Sequence, residues 1–361
     1  MVTRHWMVRA ESGFTLAELL VATTLMLIVT GIVVALVAPA QATTATRPET
    51  IDMQQRARVG LDMMRRDLAL AGAGLDAGPA VGSLGAYFAA VVPRRMGLQN
   101  ADAANTARAD AITIAYVPRT SVQTLSAALL TSPALDLQVS SEPGCPLGRA
   151  LCGISVGASL VVFDAVGHAD AFTATQIGAA ARLAHHAADA AWPYPAGSYV
   201  AAFETHTYYL DVTTAQLRHY DGYLTDTPVI DHVVGLTFSY LGDARPPAAP
   251  RPPMGTSNCL YSADGSPRPL AVLGSGDTLV SLPIAMLGDG PWCGVGSSQF
   301  DADLLRVRLI RVVLRVEAAS STMRASGVGF ARPGVTRRSA TALVDYVVTV
   351  DVSPRNLDVG R

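Results

Sequence analysis

The chain has 361 residues, of which 50% are hydrophobic and 16% charged, and its formal net charge is -2. This composition excludes an intrinsically disordered chain, which needs low hydrophobicity and high net charge. The small net charge leaves no chain-wide electrostatic footprint for nucleic acid. The length allows one large domain or two small ones.

A long apolar segment, residues 14–38, lies close to the N-terminus and contains one charged residue, Glu18. As an α-helix it would reach about 37 Å, which is enough to cross a bilayer with modest tilt. Arg4 and Arg9 precede it. The positive-inside rule therefore places the N-terminus in the cytoplasm and the chain beyond about residue 40 on the other side of the membrane.

A secretory signal peptide is the main alternative for this segment, and Ala38–Gln41 could serve as its cleavage site. Two features argue against that alternative: the apolar run is long, and Glu18 lies in its first turn. A carboxylate in the hydrocarbon costs roughly 2.5–3.5 kcal/mol on insertion scales unless it is paired. A plain signal or anchor has no reason to carry this residue.

The octet GFTLAELL, residues 13–20, resembles the class III signal of type IV prepilins and of type II secretion pseudopilins. In that family a prepilin peptidase cuts after the glycine, on the cytoplasmic side, and methylates the new N-terminal phenylalanine. The resemblance implies cleavage between Gly13 and Phe14, N-methylation of Phe14, and Glu18 as the fifth mature residue. The context of the motif is also met, since a basic leader precedes it and an apolar helix follows.

Two interpretations of Glu18 remain open. Phe14 and Glu18 are four residues apart, so Glu18 could neutralise the new amine of its own chain near the positive end of the helix dipole. The resemblance implies a different partner, the N-terminal amine of a neighbouring subunit, which Glu18 would hold in register in a filament. Both can apply, the first in the membrane and the second after assembly.

The helix is expected to continue beyond the membrane after a kink. Pro39 should kink the helix or end its first part, and Pro48 marks a second interruption. From Glu49 onward apolar residues recur at spacings of three and four, which predicts an amphipathic helix that stops at residues 72–74, Gly-Ala-Gly. We expect its apolar stripe to lie on the sheet of a head domain; the stripe comprises Met53, Ala57, Leu61, Met64, Leu68 and Ala71.

Two further stretches resemble PilW-type minor pilins. Residues 54–72 contain an Ala-Arg element followed by an Arg-Asp-Leu element and an Ala-Gly element, as in the stretch after the anchor in that group. Near the C-terminus, Pro354–Leu357 resembles the Arg-Asn that ends the last strand there. Together with the strand pattern below, these matches extend the resemblance over most of the chain.

Residues 76–361 predict a β-rich, antiparallel head, because short apolar runs alternate there with turn residues. Residues 164–168 and 211–215 are expected to connect hairpins. The alternation in residues 305–311 slips at Ile310, which predicts a bulge or entry into a two-sided core. The predicted strands are Ala111–Val117, Ser159–Phe163, Ala171–Ile177, Ser198–Phe203, Thr205–Asp211, Gln216–Tyr220, Val229–Tyr240, Leu304–Glu317 and Leu343–Val352.

A proline-rich segment, residues 244–253, predicts an extended surface stretch that opens an insertion running to about residue 299. The cysteines show no CxxC spacing and no histidine at a zinc-finger offset, so zinc is not expected. Outside the cytoplasm disulfides are the natural state. Of three possible connectivities we favour Cys145–Cys152 and Cys259–Cys293, because each pair shares a local loop; free buried thiols are the alternative.

Several motifs that carry chemistry elsewhere lack their required context here. Residues 153–157 fit GxSxG, but that elbow needs a strand before the serine and a helix after it, and here the order is reversed. Adjacent histidines such as His185-His186 point about 100° apart in a helix and share no metal face. Three further histidines are expected to be ordinary sheet residues: His206, His219 and His232.

Asp301 and Asp303 are the candidates for a calcium site, with Asp289 as the nearest further carboxylate. A calcium loop usually brings more oxygen ligands at short spacing, so capping of a turn or a strand start is the alternative. No other metal and no cofactor are expected. Arg94-Arg95 and Arg337-Arg338 give too little basic surface to predict nucleic-acid binding.

The sequence therefore predicts an α+β protein: a long N-terminal helix, half membrane-spanning and half amphipathic, packed on an antiparallel sheet with loop insertions. Its expected parts are a cytoplasmic leader removed in the mature protein, residues 1–13; a transmembrane or filament-core helix, 14–38; a kinked continuation, 39–75; and a periplasmic head, 76–361. The sequence contains neither a phosphate loop nor a dinucleotide-binding fingerprint, so these motifs give no indication of an enzyme.

The resemblance implies a minor type IV pilin that primes pilus assembly or sits near the pilus tip. Such a protein starts as a single-pass inner-membrane protein, and its partners are other pilins, the prepilin peptidase and the inner-membrane assembly platform. A pseudopilin of type II secretion or of DNA uptake stays open as an alternative. A membrane-tethered periplasmic enzyme is the alternative from another class.

Overall fold

The protein is described by a computed structural model. It covers residues 13–73, 89–97, 99–117, 123–125, 127–129, 135–139, 154, 156–164, 169–177, 181–185, 193–248, 251–252, 254–255, 257–276, 278–294, 299–337 and 341–357.

The chain opens with one long helix, α1, Leu16–Leu70, of 55 residues. Its first part, Leu16–Leu36, has a mean hydropathy of 2.7 and none of it is buried. By length and composition this part can cross a membrane, and a signal sequence would meet the same test. The structure thus contains the N-terminal apolar helix that the sequence predicts.

Neither proline ends the helix. The helix is continuous through Pro39 and Pro48, so the interruption expected at Pro48 is not found. A proline inside a helix costs about 3 kcal/mol, a local loss that a helix of this length can absorb. After Leu70 the chain reaches Gly72, whose φ of +78° is the left-handed conformation typical of helix ends.

The second part of α1 buries one stripe of side chains. These residues share a hydrophobic cluster with strand residues such as Ile112 and Tyr208. At Gly60 a β-carbon would lie 2.9 Å from Cδ1 of Ile230, so the helix backbone comes close to that side chain. Leu61, also in the predicted stripe, is only partly buried. The fully buried members of the stripe are Met53, Ala57, Met64, Leu68 and Ala71.

The described strands pair in antiparallel fashion throughout. They are β1 Val91–Val92, β2 Ala111–Tyr116, β3 Gln123–Thr124, β4 Leu135–Leu137, β5 Ser159–Phe163, β6 Ala169–Ile177, β7 Ala181–His185, β8 Tyr199–Asp211, β9 Gln216–Tyr220, β10 Asp226–Ile230, β11 Val233–Gly242, β12 Val280–Leu282, β13 Trp292–Cys293, β14 Phe300–Asp301, β15 Val307–Val316 and β16 Tyr346–Val352.

Among the described residues, ten strands form the largest sheet, in the order β1-β2-β8-β5-β6-β7-β4, with β3 and β9 also on β8 and β10 on β9. Strand β8 is the longest, with 13 residues. The sequence predicted two strands here, Ser198–Phe203 and Thr205–Asp211. The polar Glu204 interrupts the apolar pattern, yet it stays in the strand and pairs with Tyr116.

The second sheet has four described strands in the order β12-β11-β15-β16. One predicted strand, Val229–Tyr240, is divided in the structure between β10 and β11. His232, between them, has a φ of +55°, a left-handed conformation that turns the chain. Its carbonyl accepts a hydrogen bond of 2.9 Å from the backbone N–H of Glu317, next to the end of β15.

By its internal contacts the chain divides into two compact units. One comprises Met1–Asp52 with Ala318–Val344, and the other comprises Met53–Glu317 with Asp345–Arg361. In the first unit, the Ala319 backbone N–H donates to the Glu49 carboxylate. The second unit contains the strands described above.

Candidate functional site

The first turn of α1 is closed by three reciprocal hydrogen bonds between Thr15 and Glu18. The Thr15 backbone N–H and hydroxyl donate to Glu18 Oε2 at 3.0 and 2.9 Å, and the Glu18 N–H donates to the Thr15 hydroxyl at 3.3 Å. This is a capping box, the Thr-x-x-Glu arrangement that satisfies otherwise unpaired N–H groups at a helix start. This partner of Glu18 was not predicted, although residues 15–18, TLAE, carry the signature of a capping box.

The predicted processing site lies just before this cap and is accessible. Phe14 is 88% exposed. A β-carbon on Gly13 would meet nothing within 4 Å, and the backbone of Gly13 is not helical. Contacts with the described residues therefore do not require a glycine at position 13.

The apolar part of α1 presents large hydrophobic side chains to its surroundings. A continuous surface of this kind needs lipid or other apolar helices around it. The exposed residues include Leu16, Leu19, Leu20, Val21, Leu25, Met26, Leu27, Ile28, Val29, Ile32, Val33, Val34 and Leu36.

A polar cluster lies where α1 meets β8 and β9. Tyr208 of β8 is directly opposite His219 of β9, and His206 is two residues away on the same face of the sheet. Nδ1 of His206 lies 2.8 Å from Nε2 of His219 and 3.4 Å from Oδ2 of Asp67, which α1 contributes. Two histidines interpreted from the sequence as ordinary sheet residues thus face each other and a helix carboxylate.

Hydrogen bonds from two tyrosines support the cluster. The Tyr208 hydroxyl donates to Asp67 Oδ2 at 2.5 Å, and the Tyr116 hydroxyl donates to Glu204 Oε2 at 2.6 Å. Burial raises the pKa of the Tyr208 hydroxyl, and its bond to Asp67 raises it further. Burial, together with the neighbouring His206, lowers the pKa of His219, which favours a neutral imidazole at neutral pH.

The three carboxylates considered for calcium do come together. Ligand atoms of Asp289, Asp301 and Asp303 lie within 4.8 Å of one another. The Asp301 carboxylate accepts from the N–H groups of Gly290 and Asp303, at 2.5 and 2.8 Å, and so caps a short 3-10 helix, as in the capping alternative.

A positive charge already faces these carboxylates. Nε of Arg306 lies 2.7 Å from Oδ1 of Asp303, and both side chains are buried. Burial raises the pKa of Asp303 to about 6, against the opposing influence of Arg306. A cation would therefore compete with the guanidinium for the same oxygen.

The remaining predicted residues are dispersed. Cys259 and Cys293 form a disulfide with a Cα–Cα distance of 4.8 Å, the pairing expected for them. Cys145 and Cys152, the other predicted pair, lie outside the described residues. Ser155 of the GxSxG motif and His186 of the histidine pair also lie outside them. Strand β5 begins two residues after Gly157, where a GxSxG elbow requires a helix.

Arg94 and Arg95 are buried, not part of a basic surface. The Arg94 guanidinium donates to backbone carbonyls of Ala104 and Gln299. The Arg95 guanidinium stacks on the ring of Tyr209 at 4.5 Å and pairs with Asp226 at 3.0 Å. His232, at the turn before β11, lies 3.8 Å from both Asp231 and Glu317.

No protein-family model matches the chain, and comparisons with the curated proteins and with the solved structures also find no match. Its function is therefore inferred from its own residues and geometry.

Proposed function

We propose that this chain is a minor type IV pilin, a low-abundance structural subunit that primes assembly of a type IV pilus or sits near its tip. The observation that carries the proposal is the octet GFTLAELL at the start of a long helix whose first 21 residues are apolar and unburied. The bond between Gly13 and Phe14 is the site at which prepilin peptidase would cut. Phe14 would then be the methylated N-terminus.

The two parts of α1 suit two environments. Leu16–Leu36 is exposed and apolar, as a segment needs to be if it passes from a membrane into a filament core. From Met53 onward one stripe of the helix is buried in a cluster with strand residues, which supports a helix that packs on the sheet of its own head. The hydrogen bond from Tyr208 to Asp67 adds a polar contact to that packing.

The proposed location is the inner membrane, with the N-terminus in the cytoplasm and the head in the periplasm. Arg4 and Arg9 before the apolar segment favour this orientation. The disulfide between Cys259 and Cys293 favours an oxidising compartment for the head. The proposed partners are the prepilin peptidase, the assembly platform and other pilins.

The size of the head favours a minor subunit. Nearly 290 residues follow residue 75, and a head of that size is hard to repeat at every position of a thin fibre. A subunit at or near the tip escapes this constraint. We therefore place this chain among the subunits that start a filament, not among those that form its shaft.

The test is mass spectrometry of the N-terminal peptide from a host with prepilin peptidase. We expect a mature start at Phe14, with one N-methyl group, and a Gly13→Leu variant that stays uncut. Gly31→Leu is the matched control, because it makes the same change within the same apolar segment where a β-carbon meets nothing within 4 Å. This variant should be cut normally. A mature start after Ala40, or an uncut wild-type chain, would contradict the proposal.

A pseudopilin of type II secretion is the second candidate, because the same octet serves both families. Genes for a retraction motor beside this gene would favour the pilus. A secretin-linked secretion operon would favour the pseudopilin. DNA uptake is a third setting for the same subunit, and reduced transformation in a deletion strain would identify it.

A further inference from the structure

We propose that Asp67, His206 and His219 form a binding site for one divalent transition-metal ion, with zinc as the reference ion. Ligand atoms of the three residues lie within 4.8 Å of one another. They come from three separate elements, α1, β8 and β9. The site does not depend on the proposed function in a filament.

Two of the three distances between ligand atoms are close to those of a tetrahedral ion. With zinc–ligand distances of 2.0–2.1 Å, neighbouring ligand atoms of a tetrahedral site lie about 3.3 Å apart. Nδ1 of His206 is 3.4 Å from Oδ2 of Asp67 and 2.8 Å from Nε2 of His219. The two imidazole nitrogens must separate by about half an ångström for an ion to fit. The ligand atoms of Asp67 and His219 lie within 4.8 Å of each other.

The hydrogen bonds fix the tautomer of His206 in the form that binds metal. The Tyr116 hydroxyl has one proton, which it donates to Glu204 at 2.6 Å. Its contact of 3.1 Å with Nε2 of His206 is then an N–H bond that His206 donates. In the neutral imidazole, Nδ1 of His206 then carries the lone pair, which faces His219 and Asp67.

A hydrogen bond between the two histidines accounts for only part of this arrangement. If His219 donates its Nε2 proton to His206, the lone pair of Nδ1 is satisfied. The Asp67 oxygen 3.4 Å away would still face that nitrogen with no proton between them. The Tyr208 hydroxyl already donates to that oxygen, and a metal ion would bind the nitrogen and a second lone pair of the oxygen together.

Two of the three ligands, His206 and Asp67, have the kind of support that metal ligands usually have. His206 donates its other ring nitrogen to Tyr116, with the Glu204 carboxylate 3.6 Å from that nitrogen. Asp67 accepts from the Tyr208 hydroxyl at 2.5 Å. Such partners orient the ligands, and their loss typically weakens metal binding by 10- to 100-fold.

The ligand set identifies the class of ion. Two imidazoles and one carboxylate suit zinc, cobalt, nickel or copper, whereas calcium and magnesium prefer oxygen ligands alone. The side chains of His206 and Asp67 are 21% and 13% exposed, so an ion can reach them from solvent. Bound there, it would fasten α1 to β8 and β9.

The experiment is a zinc titration of the purified, tag-free full chain in detergent after removal of metal with a chelator. A chromophoric competitor reports the affinity. We expect one equivalent of zinc with a dissociation constant below about 1 µM, and a cobalt complex with the visible absorption of a four-coordinate site. His219→Gln and Asp67→Asn should each weaken binding at least 100-fold.

The matched control is His232→Gln, which removes a partly buried histidine outside the cluster and should leave the affinity unchanged. If His219→Gln or Asp67→Asn fails to fold, as judged by circular dichroism, Tyr116→Phe replaces it. This variant keeps all three ligands and should bind zinc 10- to 100-fold more weakly. A folded wild-type chain that binds no zinc at 10 µM would overturn the proposal. Unchanged affinity in the folded cluster variant tested would also overturn it.

Discussion

Asp226 joins two arginines and a tyrosine of the head. Its carboxylate accepts from Tyr209 at 2.5 Å, from Arg218 at 2.9 Å and from Arg95 at 3.0 Å, and its side chain is 20% exposed. Burial alone would raise its pKa. The hydrogen bonds from Tyr209 and Arg218, with the two positive charges, outweigh burial, so the pKa of Asp226 is lowered.

The first prediction is that Asp226→Asn lowers the free energy of unfolding by about 2 kcal/mol at pH 7, since hydrogen bonds to charged groups are lost. Because the folded-state pKa is lowered, the stabilisation is present above the unfolded-state pKa of about 3.9 and is lost as pH falls through the folded-state pKa. Urea unfolding at a series of pH values should show that the difference in free energy of unfolding between wild type and Asp226→Asn narrows below about pH 4. Asp62→Asn, on the exposed side of α1, is the control with no expected gap. A gap that is the same at pH 3 and pH 7 would show that charge is not its cause.

The second prediction separates the two roles of Glu18. Glutamine can take the place of glutamate in a capping box, so Glu18→Gln keeps the bonds with Thr15 and removes only the charge. Glu18→Val removes both. We expect both variants to be processed and inserted but to enter filaments poorly, because in the proposed filament the charge of Glu18 would pair with the amine of a neighbouring subunit.

The measurement is the ratio of variant to wild type in sheared filaments at equal membrane abundance. Should Glu18→Gln enter filaments as well as wild type while Glu18→Val does not, the cap is what matters. Equal entry of both variants would remove Glu18 from the assembly residues altogether.

Among the elements, those with a simple apolar pattern could be predicted from the sequence. Strands β5 and β9 begin and end at the predicted residues, and the helix stops at the predicted glycine. The predicted strand Leu304–Glu317 was wrong at its start: Ala302–Arg306 forms a 3-10 helix capped by Asp301. The hydrogen bond from the Asp303 N–H to the Asp301 side chain starts a 3-10 helix there, although the apolar alternation of the sequence favours a strand.

The bulge predicted near Ile310 does occur close by. The pairing of β11 with β15 shifts register between Leu241 and Gly242, opposite Leu309 and Val307. From Ile310 onward alternate residues are buried without interruption, which is typical of a strand with one core face.

The candidate sites differ in how far sequence could reveal them. The capping box of Thr15 and Glu18 lies within four residues, so it could be predicted directly from the sequence. The cluster of Asp67, His206 and His219 could not, because residues up to about 150 positions apart meet only through helix contact and strand register. Histidines in strands predict a shared site only once the pairing partners are known.

The third prediction concerns the contact of α1 with β9 and β10. Gly60→Leu should lower the free energy of unfolding by about 1–2 kcal/mol, because overpacking against Ile230 and Leu217 outweighs the gain in helix propensity. Val59→Leu, at a neighbouring position that is 50% exposed, should change it by less than about 0.5 kcal/mol. Chemical unfolding of both variants decides. A Gly60→Leu variant as stable as wild type would mean that the helix does not lie close to the sheet at this position.

At the scale of the whole molecule, the disulfide between Cys259 and Cys293 closes a loop with a sequence separation of 34. The fourth prediction is that replacing both cysteines with alanine lowers the free energy of unfolding by about 3 kcal/mol, because the unfolded chain gains conformational freedom. Unfolding with and without reductant measures the effect. Both chains are made in a background in which Cys145 and Cys152 are replaced. In that background, the chain that keeps Cys259 and Cys293 should match the double-alanine variant in stability under reducing conditions. A chain of unchanged stability would show that the bridge does not hold the fold.

The buried stripe of α1 bears on how the head would respond to tension. From Met53 to Ala71 the stripe extends over about 27 Å of helix axis. A pull along that axis would load all of its contacts in shear at the same time, whereas a sideways pull would separate them one after another from one end. Since forced unfolding is governed by the barrier to separation, the axial direction should resist the larger force. A proposed filament subunit that is pulled along this part of α1 would therefore keep these contacts under loads that would separate them one after another in the sideways direction.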